Sequence, residues 1–147
     1  MDKGSQLNKT VVSFDNLQET TPVVTGIVLH KQNPTGYSFD ANAGYIAYAD
    51  STENAANNNG VIYIGAVFPA NNKRSADPKC STEKEQKERG GALGHVLSVS
   101  DYEPGSEYIY YWGSGWSKYG FEADTDWNKY LEEYAQKVRN PLVVHVP

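Results

Sequence analysis

The sequence predicts a mainly β protein, an antiparallel β-sandwich with one α-helix near its C-terminus. Short runs of apolar and aromatic residues recur along the first two-thirds of the 147-residue chain, as expected for strands. Turn signals rich in Asn, Gly and Pro separate these runs, and short turns favour antiparallel pairing. Residues 125–139 instead carry apolar side chains at helical spacing. The length suits one domain, so we expect a single β-rich domain over residues 1–147.

The predicted strands follow one another along the chain, and a last apolar run comes after the helix. Gly26 lies inside the second run and indicates a β-bulge or a close approach of two backbones. The run 61–68 is apolar on both faces, which predicts a central strand that is covered on both sides. The predicted strands are residues 10–14, 23–30, 37–40, 44–50, 61–68, 92–100, 107–112 and 142–146.

Two segments are predicted to be irregular. Residues 71–89 alternate in charge, which is typical of a solvated loop with a short helical turn; the alternative is a mobile lid over a site. Residues 113–116, Gly-Ser-Gly-Trp, predict a flexible loop after the aromatic strand.

The predicted helix has a start, a buried face and an end. Asp124 or Thr125 is expected to cap its N-terminus, and Asn140 and Pro141 are expected to end it. We expect one face to pack against the sheet, because its apolar residues follow at i, i+4, i+7 and i+11. These residues are Trp127, Leu131, Tyr134 and Val138.

Charge and cysteine usage exclude several classes of function. The chain has 13 Lys and Arg against 18 Asp and Glu, a net charge of −5. Nucleic acids and anionic membranes require clustered positive charge, so neither is the expected partner. Membrane insertion is not expected either, because no apolar run approaches the roughly 20 residues of a membrane span. The single cysteine, Cys80, excludes an intramolecular disulfide and a cysteine-based zinc site.

The most informative stretch is aromatic and runs from residue 108 to residue 121. Trp112 and Trp116 flank a Gly-Ser-Gly segment, and Lys118 follows closely. Exposed indoles next to a sharp bend are a platform for stacking on the apolar face of a sugar, since Trp offers area and an N–H donor. The alternative is structural: Trp112 is then part of the core, and Trp116 packs against Trp127.

Two histidines are candidates for catalysis. His95 follows a run with three glycines, Gly90, Gly91 and Gly94, which allow a ligand or a strand to approach the backbone closely. His30 ends an apolar strand, where site residues often gather. Either side chain suits a general acid or base, a metal ligand or a sugar-binding donor, and the alternative is a hydrogen-bonded structural histidine. His145, near the terminus, is expected to be structural.

No motif supports a metal or a cofactor, so we expect neither. His30, His95, Asp50 and Asp101 can converge only through the fold, because no His-x-His or His-Glu-x-x-His spacing is present. The pairs Asp50 with Glu53 and Asp101 with Glu103 are expected to form turns rather than a pair of glycosidase carboxylates. The sequence contains no Gly-x-Ser-x-Gly elbow, phosphate-binding loop or dinucleotide fingerprint.

From about Gln6 to Val146 the chain resembles the C-terminal portion of a large bacterial family of domains of unknown function. The most specific part is Tyr-Trp-Gly-Ser-Gly-Trp-Ser-Lys at 111–118, and Cys80 departs from the apolar strand residue expected there. The family occurs in polysaccharide-utilisation systems of gut Bacteroidetes, sometimes beside unsaturated-uronyl hydrolases. The other segments that carry the resemblance are residues 26–30, 44–50, 65–69 and 90–96.

The resemblance implies a secreted or periplasmic, galactose-mutarotase-like β-sandwich, of which this chain would be the later part. We therefore expect a carbohydrate-active or carbohydrate-binding protein that acts on glycans with uronate groups, and the alternative is a structural or assembly module. The resemblance supplies no catalytic residues. Residue chemistry assigns the acid or base to His95 or His30, stacking to Trp112 and Trp116, and uronate neutralisation to Lys118. A partial domain would leave sheet edges open, so we also expect self-association or a missing partner domain.

Overall fold

The computed structural model describes residues 4–52, 55–69 and 82–143 and confirms a mainly β, antiparallel fold with a helix near the C-terminus. The strands are β1 (Leu7–Val12), β2 (Thr21–His30), β3 (Tyr37–Asp40), β4 (Tyr45–Ser51), β5 (Val61–Val67), β6 (Ala92–Tyr102) and β7 (Tyr108–Trp116). The helices are α1 (Glu83–Glu88) and α2 (Asp124–Arg139), with a short 3-10 turn at Ala55–Asn57.

The strands form a sandwich of two sheets of unequal size. The large sheet has the order β1-β7-β5-β4-β3, and the small sheet pairs β2 with β6. The predicted central strand is confirmed, because β5 lies in the middle of the large sheet with neighbours on both sides. Helix α2 packs on one face of the large sheet, and the small sheet covers part of the other face.

The core between the two sheets is built from alternate residues of the facing strands. Ile46 and Tyr48 of β4 point into it, whereas Tyr45 and Ala47 point towards the helix, as the alternation of strand side chains requires. The buried members of this core are Ile27, Leu29, Ile46, Tyr48, Ala66, Phe68, Val96, Tyr102 and Tyr108.

The second core lies under α2 and depends on glycines in the strands below it. Trp127 and Leu131 are fully buried, as predicted for the helix face, and Ala135 completes the buried row. A β-carbon on Gly65 would come within 2.5 Å of Leu131, so only glycine lets the helix lie this close to β5.

The same close packing corrects the prediction of a flexible loop at 113–116. These residues continue β7, pairing with β1 and β5, and do not form a loop. Gly115 faces α2, where an added β-carbon would lie 2.7 Å from Phe121 and 2.9 Å from Trp127. The glycines therefore make room for aromatic rings on a regular strand rather than providing flexibility.

Three further predictions meet the structure with different results. The bulge lies between Leu29 and His30, whereas Gly26 serves the close approach, since a β-carbon there would be 2.5 Å from Leu97.

Helix α2 begins at Asp124 rather than after it, and its start is capped by the Asp126 carboxylate, which accepts from the Ala123 N–H at 3.0 Å. The short helical turn in the charged segment is confirmed as α1.

The final predicted strand is not formed where the structure describes it. Leu142 and Val143 lie outside any strand and are exposed. The remainder of that run, with His145, lies outside the described residues, as do Glu53 and Cys80.

Candidate functional site

The candidate site lies at one end of the large sheet, where several chain segments meet. The end of β4 pairs with the start of β5, which in turn pairs with the end of β7. The end of β2 reaches the same place through its contact with β4. Because the pairing is antiparallel, the turns after β2, β4 and β7 collect at this end.

His30 and Asp50 form a polar pair at this end. The imidazole Nδ1 of His30 lies 2.9 Å from Oδ2 of Asp50, and the side chains are 36% and 16% exposed. The His30 N–H also donates to the Tyr48 hydroxyl at 3.0 Å, which fixes the backbone beneath the ring. The register shift between Leu29 and His30 turns the imidazole towards the large sheet, an effect typical of β-bulges.

This geometry gives His30 the requirements of a general acid or base. A carboxylate that accepts from Nδ1–H fixes the tautomer and leaves Nε2 free to take up or release a proton. No second partner of the imidazole is found in the part of the chain that the structure describes. The partly exposed ring can therefore reach a ligand.

Trp112 and Trp116 lie on the same face of the large sheet as Asp50, beyond the area covered by the small sheet. They are 49% and 43% exposed, so the alternative that Trp112 belongs to the core is wrong. The alternative packing of Trp116 on Trp127 is also wrong, because Trp127 lies on the opposite face, where it contacts Phe121 edge-to-face and stacks with Tyr130.

Each exposed indole is held in place by its N–H group. Trp112 Nε1 donates to the Thr10 hydroxyl at 2.9 Å, and Trp116 Nε1 donates to the Asn59 carbonyl at 2.7 Å. One edge of each ring is thereby fixed to the protein. The rings need no further ordering when a ligand binds, which lowers the entropic cost of stacking.

The strand register places the tryptophans relative to the His30–Asp50 pair. Asp50 pairs with Ile62, and Ile62 pairs with Trp116, so Asp50 and Trp116 are two strands apart on one face. Two strand spacings correspond to about 10 Å. Along β7, the four-residue step from Trp112 to Trp116 corresponds to roughly 13 Å. We call the two exposed indoles, Trp112 and Trp116, the tryptophan platform.

Lys118 lies beside the platform in the turn that follows β7. Its Nζ is 3.4 Å from Oδ1 of Asn58, which belongs to the same turn as the Asn59 carbonyl that holds Trp116. No carboxylate partner of Lys118 is found within residues 4–52, 55–69 and 82–143. Its positive charge is therefore available to an anionic ligand.

His95 lies apart from these groups. It pairs with Val28 in the small sheet and belongs to the row of β6 that points away from the core. His30, by contrast, contacts Asp50 and Tyr48 of the large sheet. The structure thus brings His30, Trp116 and Lys118 to one end and leaves His95 on the outer face of the small sheet.

A cleft of about 410 Å³ opens next to Asp50, between the end of β4 and the start of α2. We call it the α2 cleft; Asn33, Asp50, Tyr63 and Asp124 are among the residues that line it. Burial raises the pKa of Tyr63, and the neighbouring Asp124 and Asp126 carboxylates raise it further. Tyr63 and Asp124 were not predicted as site residues, because only the packing of α2 on the large sheet brings them together.

The described residues contain no cluster of three or more His, Cys, Asp or Glu side chains able to hold a metal ion. None of the helices within them is long and apolar enough to cross a membrane.

Comparison with known proteins gives one match. A family model described as "Domain of unknown function (DUF4861)" matches residues 1–144 of the chain. No curated protein and no solved structure matches significantly.

Proposed function

The chain belongs to this DUF4861 family of unknown function, and we propose that it is a carbohydrate-binding β-sandwich involved in polysaccharide degradation. Its proposed ligands are glycans that contain uronate groups. Such a role agrees with the periplasmic or secreted location, the Bacteroidetes origin and the polysaccharide-utilisation context that the sequence resemblance implies.

The observation that carries this proposal is the tryptophan platform. Large apolar rings at the surface normally become buried, and an exposed pair on one strand marks a binding surface. The side chains are 49% and 43% exposed while their N–H groups are already paired within the protein. What remains for a ligand is the apolar ring surface, which suits the C–H face of a sugar ring.

Lys118 supports the choice of acidic glycans. A uronate carboxylate next to a sugar stacked on Trp116 would meet the Lys118 ammonium group, whose hydrogen-bond partner among the described residues is the neutral Asn58 amide. The chain as a whole has a net charge of −5, so anion binding must depend on such a local positive group.

The His30–Asp50 pair supports a catalytic version of the same proposal, β-elimination at a uronate. His30 Nε2 would take the proton from C5, and those electrons would form a C4–C5 double bond. The bond between C4 and the glycosidic oxygen would then break, and that oxygen would take up a proton. Neutralisation of the carboxylate by Lys118 would make the C5 proton removable.

Binding is tested with Trp116→Ala on a pectin digest, measured by calorimetry. We expect an affinity loss of at least about tenfold, equivalent to about 1.4 kcal/mol. Phe14→Ala is the matched control, because Phe14 is similarly exposed, at 42%, but lies far from Trp116. It follows the end of β1 that pairs with the start of β7, and its ring contacts Tyr102. If Trp116→Ala bound the digest as tightly as the wild type, the claim that the tryptophan platform binds glycans would be wrong.

Catalysis is tested by following the ultraviolet absorbance of the unsaturated uronate product. His30→Ala should reduce the rate by about 10²–10⁴-fold and leave binding intact. His95→Ala is measured alongside, and its position on the outer face predicts a much smaller loss. If the wild type forms no unsaturated product from any uronate glycan, the chain is a binding module without lyase activity.

An assembly role is the second candidate, and the outer face of the small sheet favours it. Val24 and Val28 are 52% and 37% exposed there, and both edges of the small sheet are free of strand partners among the described residues. A second copy can pair along such an edge and cover the apolar face. Sedimentation velocity should show a dimer that Val24→Asp combined with Val28→Asp disrupts; a wild-type monomer at all concentrations excludes this role.

A further inference from the structure

The α2 cleft is lined by the hydroxyl end of an otherwise buried tyrosine, Tyr63. Tyr63 is 4% exposed and lines the cleft. Its hydroxyl has no hydrogen-bond partner among the described residues and is not fully buried, so a ligand in the cleft can reach it. The hydroxyl can donate one hydrogen bond to such a ligand.

The chemistry around Tyr63 determines what that partner is. Burial and the nearby carboxylates raise the pKa of Tyr63, so the hydroxyl stays protonated and can donate. Asp124 lines the cleft, and its Oδ1 accepts from the Thr125 N–H at 2.8 Å, which leaves acceptor sites on the carboxylate. A ligand that both accepts from Tyr63 and donates to Asp124 carries hydroxyl groups.

The charge and the apolar lining of the cleft restrict further which class of ligand it can bind. Asp50 and Asp124 carry negative charge, and the described residues that line the cleft include no cationic side chain, so an anionic group there would be repelled. Ala49 and Val61 provide apolar surface between the polar groups. A ring with hydroxyl groups and C–H faces matches this combination.

We propose that the α2 cleft is a subsite for an uncharged sugar ring, next to the His30–Asp50 pair. This inference rests on the proposed glycan-binding function. It divides the ligand between two environments: a uronate beside Lys118 and Trp116, and a neutral sugar in the acidic cleft. Asp50 connects the cleft with the candidate acid or base, because it lines the cleft and contacts His30.

The test compares sugars that differ only in oxidation at C6, by two-dimensional NMR of the labelled protein. The pairs are galactose with galacturonate, glucose with glucuronate, and mannose with mannuronate. We expect at least one neutral sugar to shift the backbone amide signals of Asn33 and Asp124, and its uronate partner to bind more weakly. Equal or tighter binding of every uronate, or no shift with any neutral sugar, would overturn the proposal.

Two variants sharpen this test. Tyr63→Phe keeps the buried ring and should weaken neutral sugar binding by about threefold to tenfold, the value of one hydrogen bond. Asp124→Asn keeps the shape of the cleft and should reduce the preference for the neutral sugar by about threefold or more. An unchanged preference in Asp124→Asn contradicts the electrostatic basis of the subsite, even if Tyr63→Phe fails to fold.

The indole signals separate this inference from the proposed function. Trp112 and Trp116 report the platform, whereas Asn33 and Asp124 report the cleft. Shifts of the indoles with a pectin digest but not of the cleft with neutral sugars would leave the platform standing and overturn the cleft alone. If neither indole signal shifted with the pectin digest but the cleft signals shifted with a neutral sugar, the platform would be overturned and the cleft would stand.

Discussion

At the scale of single residues, the three tryptophans have two different roles. Trp127 of α2 is 1% exposed and packs against the large sheet, with the rings of Phe121 and Tyr130 at 4.9 and 5.4 Å. Its N–H donates to the Ile64 carbonyl at 3.2 Å. Trp112 and Trp116 are half-exposed on the other face of the sheet. Burial therefore assigns Trp127 to stability and the exposed pair to binding.

This division predicts losses of stability of very different size for the same Trp→Ala substitution at a buried and at an exposed position. Trp127→Ala should lower the free energy of unfolding by about 3–5 kcal/mol, because it leaves a large cavity in the core. Trp112→Ala should lower it by about 1 kcal/mol or less, since it removes an exposed ring and one hydrogen bond. Urea unfolding of both variants checks this, and a loss in Trp112→Ala as large as in Trp127→Ala would show that the exposed ring is structural.

At the scale of elements, β7 shows why sequence alone misassigns a glycine-rich segment. The Gly-Ser-Gly triplet has the composition of a loop, and nothing in it indicates that two aromatic rings will pack on the glycines. Helix α2 was predictable because its spacing is local, whereas the need for Gly115 depends on Phe121 and Trp127, which fold back onto the strand. The same limit applies to the bulge before His30, which depends on pairing with β6.

Gly115→Ala tests this explanation. The new methyl group would overlap Phe121 and Trp127, so we expect a loss of about 1–3 kcal/mol in the free energy of unfolding. Ser114→Ala is the control, because Ser114 is exposed on the opposite face of the same strand and should change stability by less than about 0.5 kcal/mol. A neutral Gly115→Ala in thermal unfolding would indicate that the strand is flexible after all.

The N-terminus of helix α1 is held by hydrogen bonds to a carboxylate that can be protonated, that of Glu85. The Thr82 N–H and hydroxyl donate to Glu85 Oε2 at 2.8 and 2.9 Å, and these bonds lower the pKa of Glu85 below its usual 4.5. A carboxyl with a lowered pKa in the folded state stabilises the fold above its unfolded pKa and loses this effect as the pH falls through the folded value.

We therefore expect the amides of α1 to lose protection against hydrogen exchange as the pH falls below 4.5, the usual pKa of Glu85. Glu85→Gln removes the titrating group, so its α1 protection should be low and should not change further over this range. A wild-type helix that keeps full protection at the acid end would show that the Thr82–Glu85 contacts do not hold α1.

At the scale of the whole molecule, the fold class was predictable and the site only in part. Alternating apolar runs and turn residues are local signals, and they suffice for the strands of the sandwich. The exposed tryptophans and Lys118 were predicted from side-chain chemistry, yet the position of Trp116 relative to the His30–Asp50 pair follows from the register Asp50–Ile62–Trp116. Nothing in the sequence marks Tyr63 as a site residue, because its hydroxyl lines a cleft only once α2 packs on the sheet.

The central claim is that the tryptophan platform binds glycans that contain uronate groups. NMR titration of the labelled protein with a pectin digest tests it most directly, because each tryptophan gives its own indole N–H signal. The claim predicts that the Trp112 and Trp116 signals shift in a saturable way while the buried Trp127 signal stays in place. Unchanged Trp112 and Trp116 signals at every ligand concentration would contradict it.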